Sequence, residues 1–425
     1  MTVLLGCIAD DFTGSTDLAG MLVKSGMKTI QLIGVPTEPA PSDVDAIIIA
    51  LKTRTNPVAD AIEESLRALE WLKKQGCHQF YFKYCSTFDS TPEGNIGPVA
   101  EALMKALNTE FTIACPAFPA NKRCIYKGYL FVGDELLSES GMRNHPLTPM
   151  TDSSLVRVLQ AQVETKVGLT DYSIVKSGSE AIRQRFVDLQ KDGCRISVVD
   201  ALSDIDLYSI GAACTDLPLV TGGSGIALGL PENFRKKGFL KISDDANKLG
   251  IVGGLKAVIS GSCSVATQEQ VKLMKEKSPA FFVDPATLID GGDVVTDALA
   301  WAAQNIAQGP VLIYATSSPE YVKSIQAKVG INKASDMVEN ALAEITKGLV
   351  KLGVGQLIVA GGETSGAVVK ALGISGLRIG PEISPGVPWT KAIFHHSHHD
   401  PLVLALKSGN FGGPQFFNEA WDYIQ

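Results

Sequence analysis

Two adjacent aspartates near the start of the chain are the first residues whose types and spacing could do chemistry. Asp10 and Asp11 follow an apolar run over residues 3–8, typical of a buried strand, and precede a helical pattern over residues 17–24. A strand-to-helix turn places side chains and free N–H groups at the ligand-binding edge of an α/β sheet. A carboxylate only accepts hydrogen bonds, so the pair suits a ligand with donating hydroxyl groups. The alternative is a polar turn in which the aspartates cap the helix.

Polar side chains follow two further apolar segments in the same way. Lys52 and Arg54 come after the second segment, Lys83 ends the third, and Asp89 and Ser90 follow it. Because parallel strands end at one edge of a sheet, we expect these groups to converge with the aspartates in one crevice. Arginine and lysine there would hold a carboxylate or a phosphate. Two alternatives stay open: Lys52 is an ordinary surface charge, or the three loops are unrelated.

Composition bounds the class of protein. A length of 425 residues, with 45% hydrophobic and 20% charged residues, indicates a globular chain of two or three domains. A net charge of −7 argues against non-specific nucleic-acid binding but allows a local basic pocket for an anionic substrate. No apolar run approaches the length of about 20 residues that a membrane span needs. The early aspartates argue against a signal peptide, so we expect a cytoplasmic protein.

Strands alternate with helices along most of the chain, which predicts an α/β fold of two domains. Each domain is expected to be a largely parallel sheet flanked by helices, with the active site in the cleft between the domains. Residues 120–150 read as a loop. A charged, glycine-containing stretch marks the boundary, which gives an N-terminal domain over 1–235, a linker over 236–254 and a C-terminal domain over 255–425.

Strand-to-helix turns rich in glycine and serine recur in the second half. They are the predicted nucleotide-binding residues Ser260, Ser262, Gly361, Gly362, Glu363, Thr364 and Gly409. Two such turns in one domain favour a nucleotide, because backbone N–H groups at a helix N-terminus bind phosphates. The chain lacks a Walker A loop and a GxGxxG fingerprint there. Glu363 could assist a metal ion, but the sequence defines no metal ligands.

Three other features have ordinary explanations beside functional ones. The eight cysteines form no CxxC pair, which indicates free thiols in a reducing compartment. The glycine run at 221–225 could bind an anion or could let a helix pack closely. The histidines at 395–399 could bind a transition metal, but a surface loop is the preferred interpretation. His145 is expected to be structural.

Nine segments, in order and across essentially the whole chain, resemble one known family. They are IADDFTGSTD at 8–17, LKTRTNP at 51–57, FKYCSTFDSTPEGNIGP at 82–98, GYLFVGDELLSESGMRNHPLTPMTD at 128–152, LVTGGSG at 219–225, SGSCSVAT at 260–267, AGGETSGAV at 360–368, PGVPW at 385–389 and LKSGNFG at 406–412. The family is that of the four-carbon acid sugar kinases, formerly DUF1537. Within it the chain is most similar to the 3-oxo-tetronate 4-kinases.

The resemblance implies ATP-dependent phosphorylation of the 4-hydroxyl group of a four-carbon 3-oxo sugar acid, with Mg²⁺ as cofactor. It assigns Asp10, Asp11, Arg54, Lys83 and Asp89 to the acid-sugar side, and Ser260, Ser262, Gly361 to Thr364 and Gly409 to the ATP side. Many members carry an arginine where this chain has Glu93. That departure places more of the binding of the substrate carboxylate on Arg54. We also keep homodimer formation as an expectation.

Phosphoryl transfer requires in-line positioning, neutralisation of charge and a base for the attacking hydroxyl. We expect Arg54 and Lys83 to bind the substrate carboxylate. One of Asp10 and Asp11 would accept the hydroxyl proton and the other would hold hydroxyl groups, and their order stays open. Three alternatives remain: a kinase for the non-oxidised tetronates, a sugar-acid isomerase or dehydrogenase, and a sugar-acid sensor.

Overall fold

The computed structural model describes residues 3–145, 147–241, 245–250, 253–394 and 401–424. The chain divides into two units, Met1–Asn247 and Lys248–Gln425. Each unit is a sheet with helices packed against it, so the predicted two-domain α/β fold is confirmed. The bounds of the linker, 236–254, stay a prediction, as does the location of the active site between the domains.

The N-terminal unit is built on a parallel sheet. Its strands and those of a small neighbouring sheet are β1 (Leu5–Ala9), β2 (Thr29–Ile33), β3 (Ala46–Ala50), β4 (Gln79–Lys83), β5 (Thr112–Cys115), β6 (Arg123–Tyr126), β7 (Tyr129–Val132), β8 (Glu135–Leu136), β9 (Lys166–Thr170), β10 (Cys194–Val199) and β11 (Leu219–Gly222). The main sheet has the order β2, β3, β1, β4, β11, β5, β10, β9. All residues of β1, β3 and β4 are buried, as expected for parallel strands covered on both faces.

The helices of this unit run between the strands. They are α1 (Phe12–Lys24), α2 (Val58–Lys74), α3 (Ile96–Ala106), α4 (Leu155–Gln160), α5 (Tyr172–Val175), α6 (Ser179–Lys191), α7 (Asp204–Ala213) and α8 (Pro231–Lys236), with 3₁₀ turns at Pro119–Asn121, Gly141–Asn144 and Gly225–Gly229. Helix α2 shows why the periodic pattern predicts helices well. Its buried residues Ala61, Ser65, Ala68 and Leu72 recur every three or four positions and so form one face.

The prediction of a loop over residues 120–150 is wrong, because β6, β7 and β8 form an antiparallel sheet there. The turn between β6 and β7 consists of Lys127 and Gly128, both with positive φ (54° and 76°). Such a hairpin turn is normally signalled by Asn-Gly or Asp-Gly. Because the first residue of this turn is a lysine, the sequence lacks the dipeptide that would have predicted the hairpin.

The C-terminal unit has a mixed sheet. Its strands are β12 (Leu255–Ser260), β13 (Ala280–Phe282), β14 (Val311–Tyr314), β15 (Val354–Ala360), β16 (Ile374–Ser384), β17 (Val387–Phe394) and β18 (Val403–Lys407), in the order β13, β14, β12, β15, β18, β17, β16. Strands β16 and β17 form an antiparallel hairpin, and β17 pairs antiparallel with β18, whereas the other pairs are parallel. This hairpin was not predicted, although Pro385-Gly386 marks its turn in the sequence.

Helices cover this second sheet. They are α9 (Val265–Lys275), α10 (Pro285–Ile289), α11 (Val294–Asn305), α12 (Pro319–Val329), α13 (Ile331–Lys351), α14 (Gly362–Ala371) and α15 (Phe416–Glu419), with 3₁₀ turns at Ile306–Gln308 and Ala420–Tyr423. The core contains Trp389, whose ring lies 5.6 Å from that of Trp421. Trp389 Nε1 donates to the carbonyl of Ala420 at 2.9 Å, so its burial leaves no unsatisfied donor. Among the described residues, no helix is long and apolar enough to cross a membrane.

Candidate functional site

The N-terminal unit brings the predicted acid-sugar residues together at one edge of its sheet. Strands β3 and β4 flank β1, so that Ala9 lies beside both Ala50 and Lys83. The turns that follow these three strands therefore start side by side. Their side chains meet around the guanidinium of Arg54, which lies in the turn after β3.

Arg54 faces three carboxylates. Its Nε and Nη2 donate to the two carboxylate oxygens of Asp10, each at 2.9 Å. Nη2 also donates to Asp11 Oδ1 at 2.6 Å, and Nη1 lies 3.6 Å from Asp89 Oδ2. Paired hydrogen bonds of this kind fix the guanidinium and the carboxylate in one plane. Most of the donors of Arg54 are therefore engaged within the protein, and the side of Nη1 is the least constrained.

Asp10 is the buried member of the cluster, with 6% of its surface exposed. Burial raises the pKa of the Asp10 carboxyl, whereas the charge and hydrogen bonds of Arg54 act to lower it. Burial also disfavours the charge of Arg54, but Asp10 and Asp11 outweigh that effect and raise the pKa of Arg54. Asp10 and Arg54 thus form a buried ion pair in which each group stabilises the charged form of the other.

Asp11 has a different environment from Asp10. It is the N-cap of α1, and its Oδ1 accepts a hydrogen bond from the N–H of Gly14 at 3.1 Å. The helix-cap alternative thus describes Asp11 and not Asp10. The Asp11 side chain is 27% exposed, against 7% for Asp10. Its Oδ2 accepts no hydrogen bond from any residue that the structure describes, so one carboxylate oxygen of Asp11 remains available to a ligand.

Lys83 and the start of α1 lie close together. Lys83 is 3% exposed, and its Nζ donates to the carbonyl of Tyr84 at 2.7 Å. A Cβ atom on Gly14 would lie 2.8 Å from Lys83 Nζ and 2.3 Å from Asp11 Oδ1. Glycine at position 14 therefore lets the ammonium of Lys83 approach the N-terminus of the helix, where backbone N–H groups also favour an anion.

The loop after β4 completes this edge. Asp89 is buried and accepts a hydrogen bond from Thr87 at 2.6 Å, and Ser90 is also buried. Lys52 is exposed, which agrees with its interpretation as a surface charge. Glu93 is exposed too, and among the described residues it accepts a hydrogen bond only from the Thr91 hydroxyl, at 3.2 Å. The Glu93 side chain thus lies outside the cluster around Arg54.

The C-terminal unit brings its own predicted residues together at the ends of β12, β15 and β18. Ala360 lies between Ser260 and Lys407 in the sheet, so the three following turns are neighbours. The hydroxyl of Ser260 is buried and lies 2.7 Å from that of Thr316, so Ser260 serves the packing of the turn. A Cβ on Gly409 would lie 2.5 Å from Ser262 Oγ, which shows how closely the turns approach.

A cavity of about 390 Å³ opens beside two of these turns. Its walls include Gly261 to Cys263, Gly361 to Thr364, and the apolar side chains of Val322, Ile325 and Val338. Helix α14 begins at Gly362 with no side-chain cap, so its first N–H groups are available to an anion. Gly361 has a φ of 127°, and a Cβ there would lie 2.9 Å from Thr364 Oγ1, so the turn requires glycine. The turn could bind the phosphates of a nucleotide, and the apolar walls of the cavity could hold its nucleobase.

Two carboxylates line the same cavity. Burial and the adjacent carboxyl of Glu363 raise the pKa of Glu339 to about 7. Two carboxyl groups this close favour one shared proton or a bound cation. The part of the chain that the structure describes contains no cluster of three or more metal-ligating side chains.

Comparisons with known proteins agree with this division of labour. A family model described as a sugar-binding N-terminal domain matches residues 5–230, and one described as a nucleotide-binding C-terminal domain matches residues 257–417. A 3-oxo-tetronate kinase of Burkholderia multivorans is 58% identical over 417 residues, which cover 98% of this chain and 96% of that one. The chain belongs to the four-carbon acid sugar kinase family.

Further relatives support the same assignment. A 3-oxo-tetronate kinase of Cupriavidus necator is 56% identical over 98% of this chain and 96% of its own length. A solved structure of a Haemophilus influenzae DUF1537 protein has 47% identity and a TM-score of 0.88, covering 99% of this chain and 100% of that one. A Salmonella typhimurium structure has 46% identity and a TM-score of 0.90, over 99% of each chain.

Some residues of the acid-sugar side escaped the sequence analysis. Asn95 Nδ2 donates to the carbonyls of Thr53 and Asn56, at 2.7 and 3.0 Å, and so holds the turn that carries Arg54. Gln162 Nε2 donates to Ser90 Oγ at 2.7 Å. Asn95 lies in a segment that resembles the family, and that resemblance could have marked it as a candidate. Gln162 acts across more than 70 residues, and nothing local in the sequence marks it.

Three open interpretations can now be compared with the structure. In the run at 221–225 a Cβ on Gly222 would lie 2.4 Å from the carbonyl oxygen of Cys115, so close packing explains this glycine. His145 Nδ1 accepts from the N–H of Thr148 at 3.1 Å, a structural role. The histidines at 395–399 lie outside the described residues. The eight cysteines are free thiols.

Proposed function

We propose that the protein transfers the γ-phosphoryl group of ATP to the 4-hydroxyl group of a 3-oxo-tetronate. Relatives named 3-oxo-tetronate kinase, 56–58% identical over 98% of the chain, support this activity. The observation that carries it is the pairing of two sites in one chain: a cluster of carboxylates around Arg54 in one unit, and an uncapped, glycine-built helix N-terminus beside a cavity in the other.

On the acid-sugar side, Lys83 and Arg54 would bind the substrate carboxylate. Arg54 has its Nη1 side for this purpose, because Nε and Nη2 are engaged by Asp10 and Asp11. Lys83 Nζ and the N-terminus of α1 form a second attractive region for the anion. Asp89 and Ser90 would hold the hydroxyl groups of the sugar acid.

We assign the role of base to Asp11. Both oxygens of Asp10 accept from Arg54, and Asp10 is nearly fully buried. Asp11 Oδ2 has no hydrogen-bond partner among the residues that the structure describes, and the Asp11 side chain is more exposed than that of Asp10. A base must come within hydrogen-bond distance of the proton that it accepts, and geometry favours Asp11. Asp10 would then position Arg54 and Asp11.

On the ATP side, the N–H groups at the start of α14 and the turn of Ser262 would hold phosphates. Glu339 and Glu363 suit a magnesium ion, which proteins commonly bind through one or two carboxylates together with the phosphates of a nucleotide. When bound, Mg²⁺ would neutralise charge on the transferred phosphoryl group. An active site between the two domains, a homodimer and a cytoplasmic location all stay predictions.

The test is an ADP-release assay with ATP and four acids: the two stereoisomeric 3-oxo-tetronates and the two parent tetronates. The proposal expects saturable turnover with at least one 3-oxo acid. Turnover with a parent acid alone would favour a tetronate kinase. NAD-dependent conversion without ADP release would favour the dehydrogenase alternative.

A further inference from the structure

The loop at residues 408–413 turns its carbonyl groups toward the protein interior. Lys407 Nζ donates to the carbonyls of Ser408 and Gly409, both at 3.0 Å. The Gly409 oxygen also accepts from Ser264 Oγ at 2.6 Å and from Thr267 Oγ1 at 2.8 Å. Three side chains thus hold one carbonyl, and two of them lie at or just before the start of α9.

Gln270, one turn further along α9, acts on the rest of the loop. Its Nε2 donates to the carbonyls of Phe411 at 3.1 Å and of Gly412 and Gly413 at 3.0 Å each. Gln270 and Lys407 are both fully buried. Together they bind most of the carbonyl groups of the loop from inside.

The N–H groups must then point the other way, because C=O and the following N–H are opposed in a planar trans peptide unit. The affected N–H groups belong to Gly409, Asn410, Gly412 and Gly413. None of the four donates to an acceptor in the part of the chain that the structure describes. Several such N–H groups on a concave turn make an anion-binding site.

The position of the loop, beside the turn at which α14 begins, indicates which anion it would bind. The N–H of Gly361 donates to the carbonyl of Lys407 at 2.8 Å, so the loop adjoins the turn at which α14 begins. Lys407 also carries a buried positive charge, with no carboxylate within ion-pair distance among the described residues. A buried cation without a carboxylate partner, in a loop with several free N–H donors, attracts a polyanion such as a nucleotide phosphate chain.

We propose that Lys407 and Gln270 are positioning residues that shape the 408–413 loop into a cradle for the phosphate chain of the nucleotide. This inference rests on the proposed function, because it specifies how the ATP site holds its ligand. The two side chains act through the backbone of the loop and contact no substrate themselves.

The test compares binding of ADP and adenosine to the full-length wild-type protein and to Lys407→Met and Gln270→Leu, by calorimetry. Each variant removes hydrogen bonds that orient donors to a charged group, so we expect ADP to bind roughly 10- to 100-fold more weakly. Adenosine, which has no phosphate, should bind as it does to the wild type. The KM for ATP should rise while the KM for the acid sugar stays constant.

The matched control is Lys256→Met. Lys256 lies in the same unit, with its Nζ 5.4 Å from the ring centre of Trp421, and ADP binding should not change. Wild-type affinity for ADP in both variants, or equal losses for ADP and adenosine, would overturn the inference. If Lys407→Met does not fold, Gln270→Leu decides. Absence of 3-oxo-tetronate turnover in the wild type would refute the proposed function and leave this comparison valid.

Discussion

Replacing Arg54 with methionine would remove the only cation that the described residues place within ion-pair distance of both Asp10 and Asp11. The Asp10 side chain is 7% exposed and would keep a buried negative charge without its partner. Breaking a buried ion pair by removing one member costs about 3–5 kcal/mol of unfolding free energy. We therefore expect the N-terminal unit to be strongly destabilised at pH 7.

The assay is hydrogen exchange of the full-length protein, read at the amides of β1 and β3. Since about 1.4 kcal/mol is a factor of ten, protection there should fall by roughly two to four orders of magnitude. Protection of β12 and β15, in the other unit, serves as the internal control. Unchanged protection of β1 would refute the role of Arg54 as the counter-ion of Asp10.

The pH dependence of the stability of the Arg54→Met variant is a second test of this ion pair. Arg54 lowers a carboxyl pKa that burial raises, so without Arg54 the pKa of Asp10 must rise further. The deficit of the Arg54→Met variant should be full above that raised pKa and should shrink as falling pH protonates Asp10. Adding Asp10→Asn to Arg54→Met should recover stability at pH 7 without recovering turnover. A double variant no more stable than the single one would contradict the argument.

Two further predictions concern single side chains. Asp11→Asn should reduce kcat by about 100-fold or more while ADP still binds, because it removes the base; near-normal kcat in a steady-state assay would place the base elsewhere. Burial lowers the pKa of Lys407 from 10.5 to about 8. Its charge therefore destabilises the nucleotide-free fold below pH 8, so the wild type should gain up to about 3 kcal/mol of stability relative to Lys407→Met as the pH rises from 8 to 10.5. Exchange at β18 measures both proteins across this range; a stability difference that does not change with pH would refute the prediction.

The strand-to-helix pattern predicted much of this fold because each buried strand is a short apolar run. The strands that end at or before Asp10, Arg54 and Lys83 were all predicted, and the parallel arrangement that joins their ends followed from the alternation with helices. The hairpin of β16 and β17 was missed, although Pro385 and Gly386 between its strands are a recognised turn signal and Gly386 has a positive φ of 78°. The pattern of apolar runs thus predicted the strand ends at which the candidate acid-sugar residues lie.

Side-chain orientation was beyond the reach of the sequence. The ion pairs of Arg54 with Asp10 and Asp11 were not predicted, and its binding of the substrate carboxylate stays a prediction. Gln270 binds carbonyls about 140 residues away in the chain, a contact that no local pattern indicates. A role that depends on long-range hydrogen bonds can be recognised only in the structure. The residue types at strand ends can be read from the sequence.

The central claim is the position of phosphorylation, and it is tested most directly by phosphorus NMR of the product made from ATP and a 3-oxo-tetronate. A phosphate attached at C4 couples to the two protons of that carbon, so we expect one new resonance split by both. A product whose phosphorus couples to a single proton, or phosphate released without a sugar ester, would contradict it.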